Sequence, residues 1–308
     1  MHNSQKKVLV MMSTYNGEEH LQAQIESILN QKIEHNVLLR IRDDGSTDKT
    51  CDIIKKYMSY NPGKIELIEG ENIGYNRSFF SLIKNACGFD YYAISDQDDV
   101  WLDDKLQIAC NAIDDCVGKG PVLYASTSFL VHNDLIPYGT TRKRQRTFSV
   151  YNTIIQNICP GHTQVMNNEL LSLLKDNIDI SNIYVYDSWI TNTAILYGSL
   201  IFDNRPHTYY RQHENNQLGA GSGFMSRLIN SFKRINVGDG HAYKKQAEYF
   251  INLNKDELQS QGLFENLQSF AAAKSLNQRI SVVVMGKLFR QSALETVAFY
   301  LAYLMGKY

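Results

Sequence analysis

Three things are scarce in this 308-residue chain. There is no basic excess: Lys and Arg number 31 against 32 Asp and Glu, a net charge of −1. A protein that holds nucleic acid irrespective of sequence carries a basic surplus, so that class is excluded. Cysteine is sparse and unpatterned, at positions 51, 87, 110, 116 and 159 with no Cys-x-x-Cys. Zinc spacing is therefore missing, an odd count argues against a disulfide framework, and the thiols read as reduced ones in a cytosolic protein. Long apolar runs are also missing. Met1–Lys7 is polar and leads into only a short apolar run, which is not a secretory signal pattern, and no stretch approaches a membrane span. The Asn-x-Ser pattern at Asn76 accordingly carries no meaning for glycosylation. Repeats and low-complexity segments are absent.

What is present is ordinary globular composition, 44% hydrophobic and 20% charged, enough to build a large core. At roughly 100–200 residues per domain, the length suits one large domain with an extension, or two domains. The 19 tyrosines suit stacking on sugars or bases, although ordinary core and surface use explains them better.

The N-terminal third alternates strand and helix patterns. Val8–Met12, Val37–Ile41, Ile65–Ile68 and Tyr91–Ile94 read as strands. Between them, Leu21, Ile25, Ile28 and Leu29 share one helical face, a second helix carries Cys51, Ile53, Ile54 and Tyr57, and a third covers Ser78–Ala86. Such alternation predicts βαβ units and a mainly parallel sheet. Beyond it, Leu102–Cys116 reads as helix, Val122–Val131 as strand, Arg142–Arg146 as an exposed basic loop, Tyr186–Tyr197 as helix and Leu200–Phe202 as a short strand. From about Gly221 the pattern is helical, which places a boundary near residue 220.

In a parallel sheet, ligands sit beyond the carboxyl ends of the strands. Three polar clusters follow strands here: Thr14-Tyr15-Asn16, Asp43-Asp44, and Asp96-Gln97-Asp98-Asp99. Three carboxylates within four residues repel one another unless exposure or a cation relieves them. Mg²⁺ takes one or two carboxylates together with substrate phosphates, and a cation neutralises a diphosphate leaving group. A solvated acidic turn that caps the next helix is the competing reading. Asp43-Asp44-Gly45-Ser46-Thr47-Asp48 reads both as a turn with a helix cap and as an acceptor for a base N–H or a ribose hydroxyl.

Taken together and in order, Ser13-Thr14-Tyr15-Asn16-Gly17, Asp43–Asp48, Asn72-Ile73-Gly74 and Asp96–Trp101 resemble the inverting family 2 glycosyltransferases. Asp-Gln-Asp-Asp-Val-Trp, and the later Tyr210-Arg211-Gln212-His213 with Asn215 and Asn216, resemble the branch rich in bacterial rhamnosyltransferases. The resemblance spans roughly residues 7–216. It implies a GT-A fold over residues 1–220, with a nucleotide-binding half of about 1–100 and an acceptor half of about 101–220, followed by a helical extension, 221–308. It implies that Thr14, Tyr15, Asn16, Asp43, Asp44, Asp96 and Arg211 contact the nucleotide. Asp96 and Asp98 would be the DXD pair, with Asp98 or Asp99 touching a bound Mg²⁺ or Mn²⁺. His213 reads as a further metal ligand, a diphosphate contact or a structural hydrogen-bonder. Asp187, in Tyr186-Asp187-Ser188-Trp189, matches the family's general base, and a helix N-cap is its plainer reading. Relatives carry His-Asp-Trp-Trp there, so Tyr186 and Ser188 put the acceptor contacts in doubt.

The resemblance further implies a nucleotide-sugar donor, dTDP-L-rhamnose or a UDP-hexose. The acceptor would be a saccharide, free or lipid-linked, met in the cytoplasm at the inner face of the plasma membrane during surface polysaccharide assembly. A non-catalytic nucleotide-sugar-binding subunit is the alternative. A sugar nucleotidyltransferase needs a glycine-rich phosphate loop that Ser13–Gly17 does not supply. Gly219–Gly223 has the wrong spacing for a dinucleotide loop and reads as a mobile loop. In the C-terminal tail, Arg279, Lys287 and Arg290 lie among Val282–Met285, Leu288 and Phe289, followed by aromatic-rich Val297–Met305. That pattern suits either a basic amphipathic surface on an anionic membrane or packing against the catalytic domain or a second subunit.

Overall fold

The computed structural model describes residues 5–212, apart from 117, 119, 145 and 177, and residues 239–308. His213 and the Gly219–Gly223 loop lie outside the described residues.

The expected alternation is present. The elements run β1 (Lys7–Thr14), α1 (Leu21–Leu29), β2 (Asn36–Asp43), α2 (Thr50–Tyr60), β3 (Ile65–Glu69), α3 (Tyr75–Asn85), β4 (Tyr91–Ser95), β5 (Val100–Trp101), α4 (Lys105–Asp114), β6 (Val122–Val131), β7 (Pro137–Thr140), α5 (Val150–Thr153), β8 (Val165–Asn167), α6 (Asn168–Leu173), α7 (Tyr186–Tyr197) and β9 (Ser199–Arg211). Among the described residues, five helices follow: α8 (Asp239–Leu253), α9 (Lys255–Ser260), α10 (Phe264–Ala272), α11 (Leu276–Met285) and α12 (Ala293–Leu304).

Val8 to Met12 are all fully buried, as a central strand covered on both faces requires. Val8, Val10 and Met12 join Leu21, Ile25 and Ile28 of α1 in the main core. The pleat sends Leu9 and Met11 to the other face. There α3 packs on β1, because a right-handed crossover travelling the opposite way along the sheet places its helix on the opposite side.

Strand order in the sheet is β3-β2-β1-β4-β8-β6-β9-β5, with β7 beside β6. Pairing is parallel from β3 through β4 and again between β6 and β9. The short strands β5, β7 and β8 pair antiparallel. The mixed α/β class with a parallel nucleotide-side sheet and C-terminal helices thus agrees with expectation.

β9 differs from its expected extent. Leu200–Phe202 is only the start of a 13-residue strand. Asp203, Asn204, Arg205 and Pro206 break the apolar pattern, yet the chain stays extended through a bulge: Ser126 pairs with Asp203, and its neighbour Thr127 with Pro206. Asp203 Oδ2 accepts from Arg205 Nη2 at 2.8 Å and lies 3.1 Å from His207 Nε2, which stitches the bulge together.

The chain forms two compact units. One comprises Met1–Lys143, Cys159–Ile180 and Tyr197–Gly219; the other comprises Arg144–Ile158, Ser181–Leu196 and Ala220–Tyr308. The sequence placed one boundary near 220, whereas the helical unit also recruits two earlier segments. Inside that unit, Asn152 Nδ2 donates to Phe289 O at 3.0 Å and Tyr308 Oη to Ile155 O at 3.1 Å. Trp189 is buried there, stacked on Tyr249 with Phe250 edge-on. Among the described residues, no helix is long and apolar enough to cross a membrane.

Candidate nucleotide and metal site

The chain walks from β1 to β2 to β3 in one direction, then crosses to β4 on the other side of β1. The carboxyl ends of β1 and β4 therefore flank a topological switch point, where such sheets bind ligands. The loops meeting there are laced together. Tyr15 N donates to Gln97 Oε1 at 2.9 Å, and Gln97 Nε2 returns a bond to Tyr15 O at 3.2 Å. Gly17 leaves room for this pair: a Cβ there would fall 2.4 Å from Gln97 Oε1, the movable end of that side chain. Asn16, at φ 46°, donates its N–H to Ser46 Oγ and accepts Thr47 N–H on Oδ1. Gly17 N donates to Thr50 Oγ1 at 2.8 Å. The Tyr15 side chain is left 48% exposed at this edge.

Asp43 and Asp44 are buried and their oxygens are in use. Asp43 accepts from Thr14 Oγ1, Ser46 Oγ, Ser46 N and Gly45 N, the full capacity of a carboxylate. Burial pushes its pKa up, but these hydrogen bonds outweigh burial and hold it below the usual carboxylate value. Asp44 accepts from Arg42 Nη1, Ile73 N and Gly74 N. Both side chains thus build the loops, and the Asn72-Ile73-Gly74 turn is docked by Asp44.

The third cluster differs. Asp96 and Asp99 are joined by His162, from a 3₁₀ turn at Gly161–Thr163. His162 Nδ1 lies 3.6 Å from Asp96 Oδ2 and 3.8 Å from Asp99 Oδ2, and one ligand atom from each of the three falls within 4.8 Å of the others. Asp99 is fully buried. Its Oδ1 accepts Arg211 N–H at 3.3 Å, while its Oδ2 has no hydrogen-bond partner. Burial, and then the charges of Asp98 and Asp96, push the Asp99 carboxyl well above its ordinary value. Lys105, also fully buried, opposes that rise; burial brings its own ammonium down to about 7, against the pull of Asp99 and Asp96. Lys105 Nζ donates to His162 O and lies over the Trp101 ring.

The imidazole is held on two sides. Its Nε2 is 2.9 Å from Ser128 Oγ, and its ring stacks on Tyr210 at 4.5 Å. When Nε2–H donates to that hydroxyl, the Nδ1 lone pair faces the carboxylates, the tautomer a metal ligand needs. Two carboxylate oxygens and one imidazole nitrogen suit Mn²⁺, and Mg²⁺ with more of its water retained. The unpartnered Asp99 Oδ2 is the atom such a cation would satisfy, so the residues present fit the group.

The other expected residues fall as follows. Asp98 is half-buried and outside the group formed by Asp96, Asp99 and His162. Arg211 is buried, with Nη1 donating to Asn133 O at 2.9 Å. Asp187 belongs to the helical unit. It is the second residue of α7 rather than its N-cap, and it is mostly buried. Its Oδ2 accepts from Asn157 Nδ2 at 2.7 Å and its Oδ1 from Ser188 N at 2.8 Å. Gln246 fastens the entry to that helix, taking Tyr184 N and Val185 N on Oε1. Sequence reasoning missed His162, Ser128 and Lys105. His162 follows Cys159-Pro160-Gly161 with no acidic neighbour, so only the fold brings it to the strand ends.

Comparison with known proteins gives a consistent picture. The sequence model described as Glycosyl transferase family 2 matches residues 9–171. A dTDP-rhamnosyl transferase, RfbG, of Shigella flexneri is 31% identical over 80% of this chain and 85% of its own. Among solved structures, S. aureus TarS 1-349 in complex with UDP-GlcNAc superposes with a TM-score of 0.56 at 18% identity, covering 98% of this chain and 90% of that one. The mannosyltransferase PcManGT of Pyrobaculum calidifontis, in complex with GDP-Man and Mn²⁺, superposes at 0.54 with 17% identity, covering 99% and 86%. These likenesses place the fold among the GT-A transferases.

Proposed function

The chain belongs to glycosyl transferase family 2, and from that premise we propose that it inverts a sugar's anomeric centre while moving it from a nucleoside-diphosphate donor to a saccharide acceptor. The observation that carries the reading is the Asp96–Asp99–His162 group at the switch point, with a buried carboxylate oxygen aimed into it and no partner. A divalent cation held there, Mg²⁺ or Mn²⁺, would supply charge neutralisation to the departing diphosphate.

The remaining roles belong to the chain. Tyr15, exposed beside the laced loops, offers its ring to the nucleotide. Thr14, Asn16, Asp43 and Asp44 give those loops their shape, and Arg211 supports the acidic group by donating its N–H to Asp99. Asp187 takes the proton of the acceptor hydroxyl. As that O–H bond breaks, the oxygen attacks the anomeric carbon from the face opposite the diphosphate. The new glycosidic bond forms, the bond from carbon to diphosphate oxygen breaks, and the nucleoside diphosphate leaves with both electrons. The hydrogen bond from Asn157 to Asp187 Oδ2 supports the assignment, since it fixes the orientation of the carboxylate.

The Shigella relative supports dTDP-L-rhamnose as donor. A UDP-hexose is the second candidate, in keeping with the UDP-GlcNAc bound by TarS. The acceptor is a growing surface polysaccharide, carried on lipid at the cytoplasmic face of the membrane. The test is release of dTDP or UDP from the two donors, with and without Mn²⁺ and with EDTA, alongside thermal unfolding with each nucleotide. Metal-dependent dTDP release with acceptor is the expected result. Metal-linked nucleotide binding without turnover on any donor would leave a non-catalytic binding subunit instead.

A further inference from the structure

We propose that α11 and α12 seat the protein on an anionic membrane surface. The inference deepens the reading of a lipid-carried acceptor and rests on it for its purpose, whereas its test needs neither donor nor acceptor.

α12 has the sequence ALETVAFYLAYL, with only Glu295 and Thr296 polar. A helix apolar all round is ordinarily buried all round. Here one side is: Ala298, Phe299, Ala302 and Tyr303 lie in the core of the helical unit. The other side faces outward, with Val297, Leu301 and Met305 about half exposed at near-helical spacing. α11 packs against α12 and repeats the pattern. Leu276, Ile280 and Val284, spaced by four, are exposed, Val284 to 79%. Two adjoining helices with apolar outer stripes are more than the scattered exposed residues of an ordinary surface.

Charge names the occupant. Residues 274–308 hold five basic side chains, Lys274, Arg279, Lys287, Arg290 and Lys307, against one acid, Glu295. That is a net of +4 in a chain whose total is −1. The one acid lies 3.9 Å from Arg290, while Lys274, Lys287 and Lys307 are exposed around the stripes. A second copy meeting this face about a two-fold axis would bring like charges together. Anionic headgroups complement them, and the apolar stripes match the acyl boundary beneath. At 10 and 12 residues, the helices are far short of the roughly 20 needed to span, so they lie in the plane of the interface. Ser275 and Gln278 close a capping box at the start of α11, and Gly286 ends it at φ 61°.

The experiment is co-sedimentation of the full chain with vesicles of phosphatidylglycerol and phosphatidylcholine, or of phosphatidylcholine alone, at low and high salt. Binding to the anionic vesicles is expected at least tenfold tighter, and to fall with salt. Val284→Glu with Leu301→Glu should abolish it while leaving the circular-dichroism melt and turnover on a soluble acceptor unchanged. Lys274→Glu with Lys287→Glu, which leaves the stripes intact, should also reduce it at least tenfold, and covers the case in which the first pair misfolds. Equal sedimentation of wild type and both variants overturns the proposal, as does absence of binding to anionic vesicles. A concentration-dependent dimer that the Glu pair dissolves, without vesicle binding, also overturns it and assigns the face to a second copy.

Discussion

Replacing His162 by Phe tests the metal group most directly. Phe keeps the ring stacked on Tyr210 and removes the nitrogen facing Asp96 and Asp99. Alone it leaves Ser128 Oγ buried without its partner, at a cost of about 1–3 kcal/mol, whereas removing both partners is close to neutral. The informative protein is therefore His162→Phe with Ser128→Ala. Loss of a supporting partner around a metal typically weakens binding 10–100-fold, and loss of a ligand should reach at least the upper end. At Mn²⁺ one hundred times its Kd, the native chain gains about 2.7 kcal/mol; a hundredfold weaker site at the same concentration gains about 0.4. For a domain of this size that is a thermal shift of roughly 5–10 °C falling to about 1 °C. The assay is thermal unfolding with and without Mn²⁺, and turnover against Mn²⁺ concentration should move in parallel. If the double variant keeps the native Mn²⁺ shift, His162 is not a ligand and the three-residue group is only a buried polar contact.

Three further outcomes are expected. Asp187→Asn should lower turnover by about 10²–10⁴-fold while nucleotide binding, followed by calorimetry, stays within a factor of a few; near-native turnover removes Asp187 from the base role. Gly17→Ala should change stability by less than about 1 kcal/mol, because the group in its way is the flexible end of Gln97. It should nonetheless break the Tyr15–Gln97 pair and raise the donor KM, an effect that Gln97→Ala reproduces and the double variant does not add to; additive effects would separate the two residues. Asp203 should leave a signature in acid. Burial pushes its carboxyl up, but hydrogen bonds from Arg205 and His207 outweigh burial and hold it at about 2. A folded pKa below the unfolded value means stability that is complete above about pH 4 and lost as pH falls toward 2, about 2 kcal/mol in all. Urea midpoints for wild type and Asp203→Asn should converge over that window, and parallel curves would refute the assignment.

Legibility followed the range over which the signals act. The first four strands and three helices were readable because each buried run is bounded by turn residues, and β1 announces burial on both faces through five successive apolar residues. β8 was not, because three residues carry no period and are held as strand only by β4 and β6. β9 was cut short at Asp203, where local polarity argues for a turn and pairing with β6 keeps the chain extended. The discontinuous helical unit was equally hidden. Nothing in residues 144–158 or 181–196 says that their partners are Phe289, Tyr249 or Gln246, since those bonds link distant stretches of sequence. Asp187 shows the intermediate case: the type of residue and its helix were clear, but its position within the first turn, and its bond from Asn157, belong to the fold.

The two acidic clusters after β2 and β4 show why residue type alone under-determines chemistry. Asp43-Asp44 and Asp96–Asp99 look alike as text, each a group of carboxylates following a strand. Counting donors separates them. The four bonds to Asp43 and three to Asp44 come from the protein's own backbone and neighbouring side chains, so their charge is spent on holding loops in place. Asp99 receives one N–H, keeps a buried oxygen without a partner, and shares its surroundings with two further carboxylates and one buried ammonium, Lys105. Leaving such an oxygen without a partner costs about 1–3 kcal/mol, which a bound cation would offset. Ser128, Tyr210 and Lys105 all spend contacts on orienting His162 toward that same oxygen, which is the arrangement expected of a ligand set rather than of a helix-capping turn.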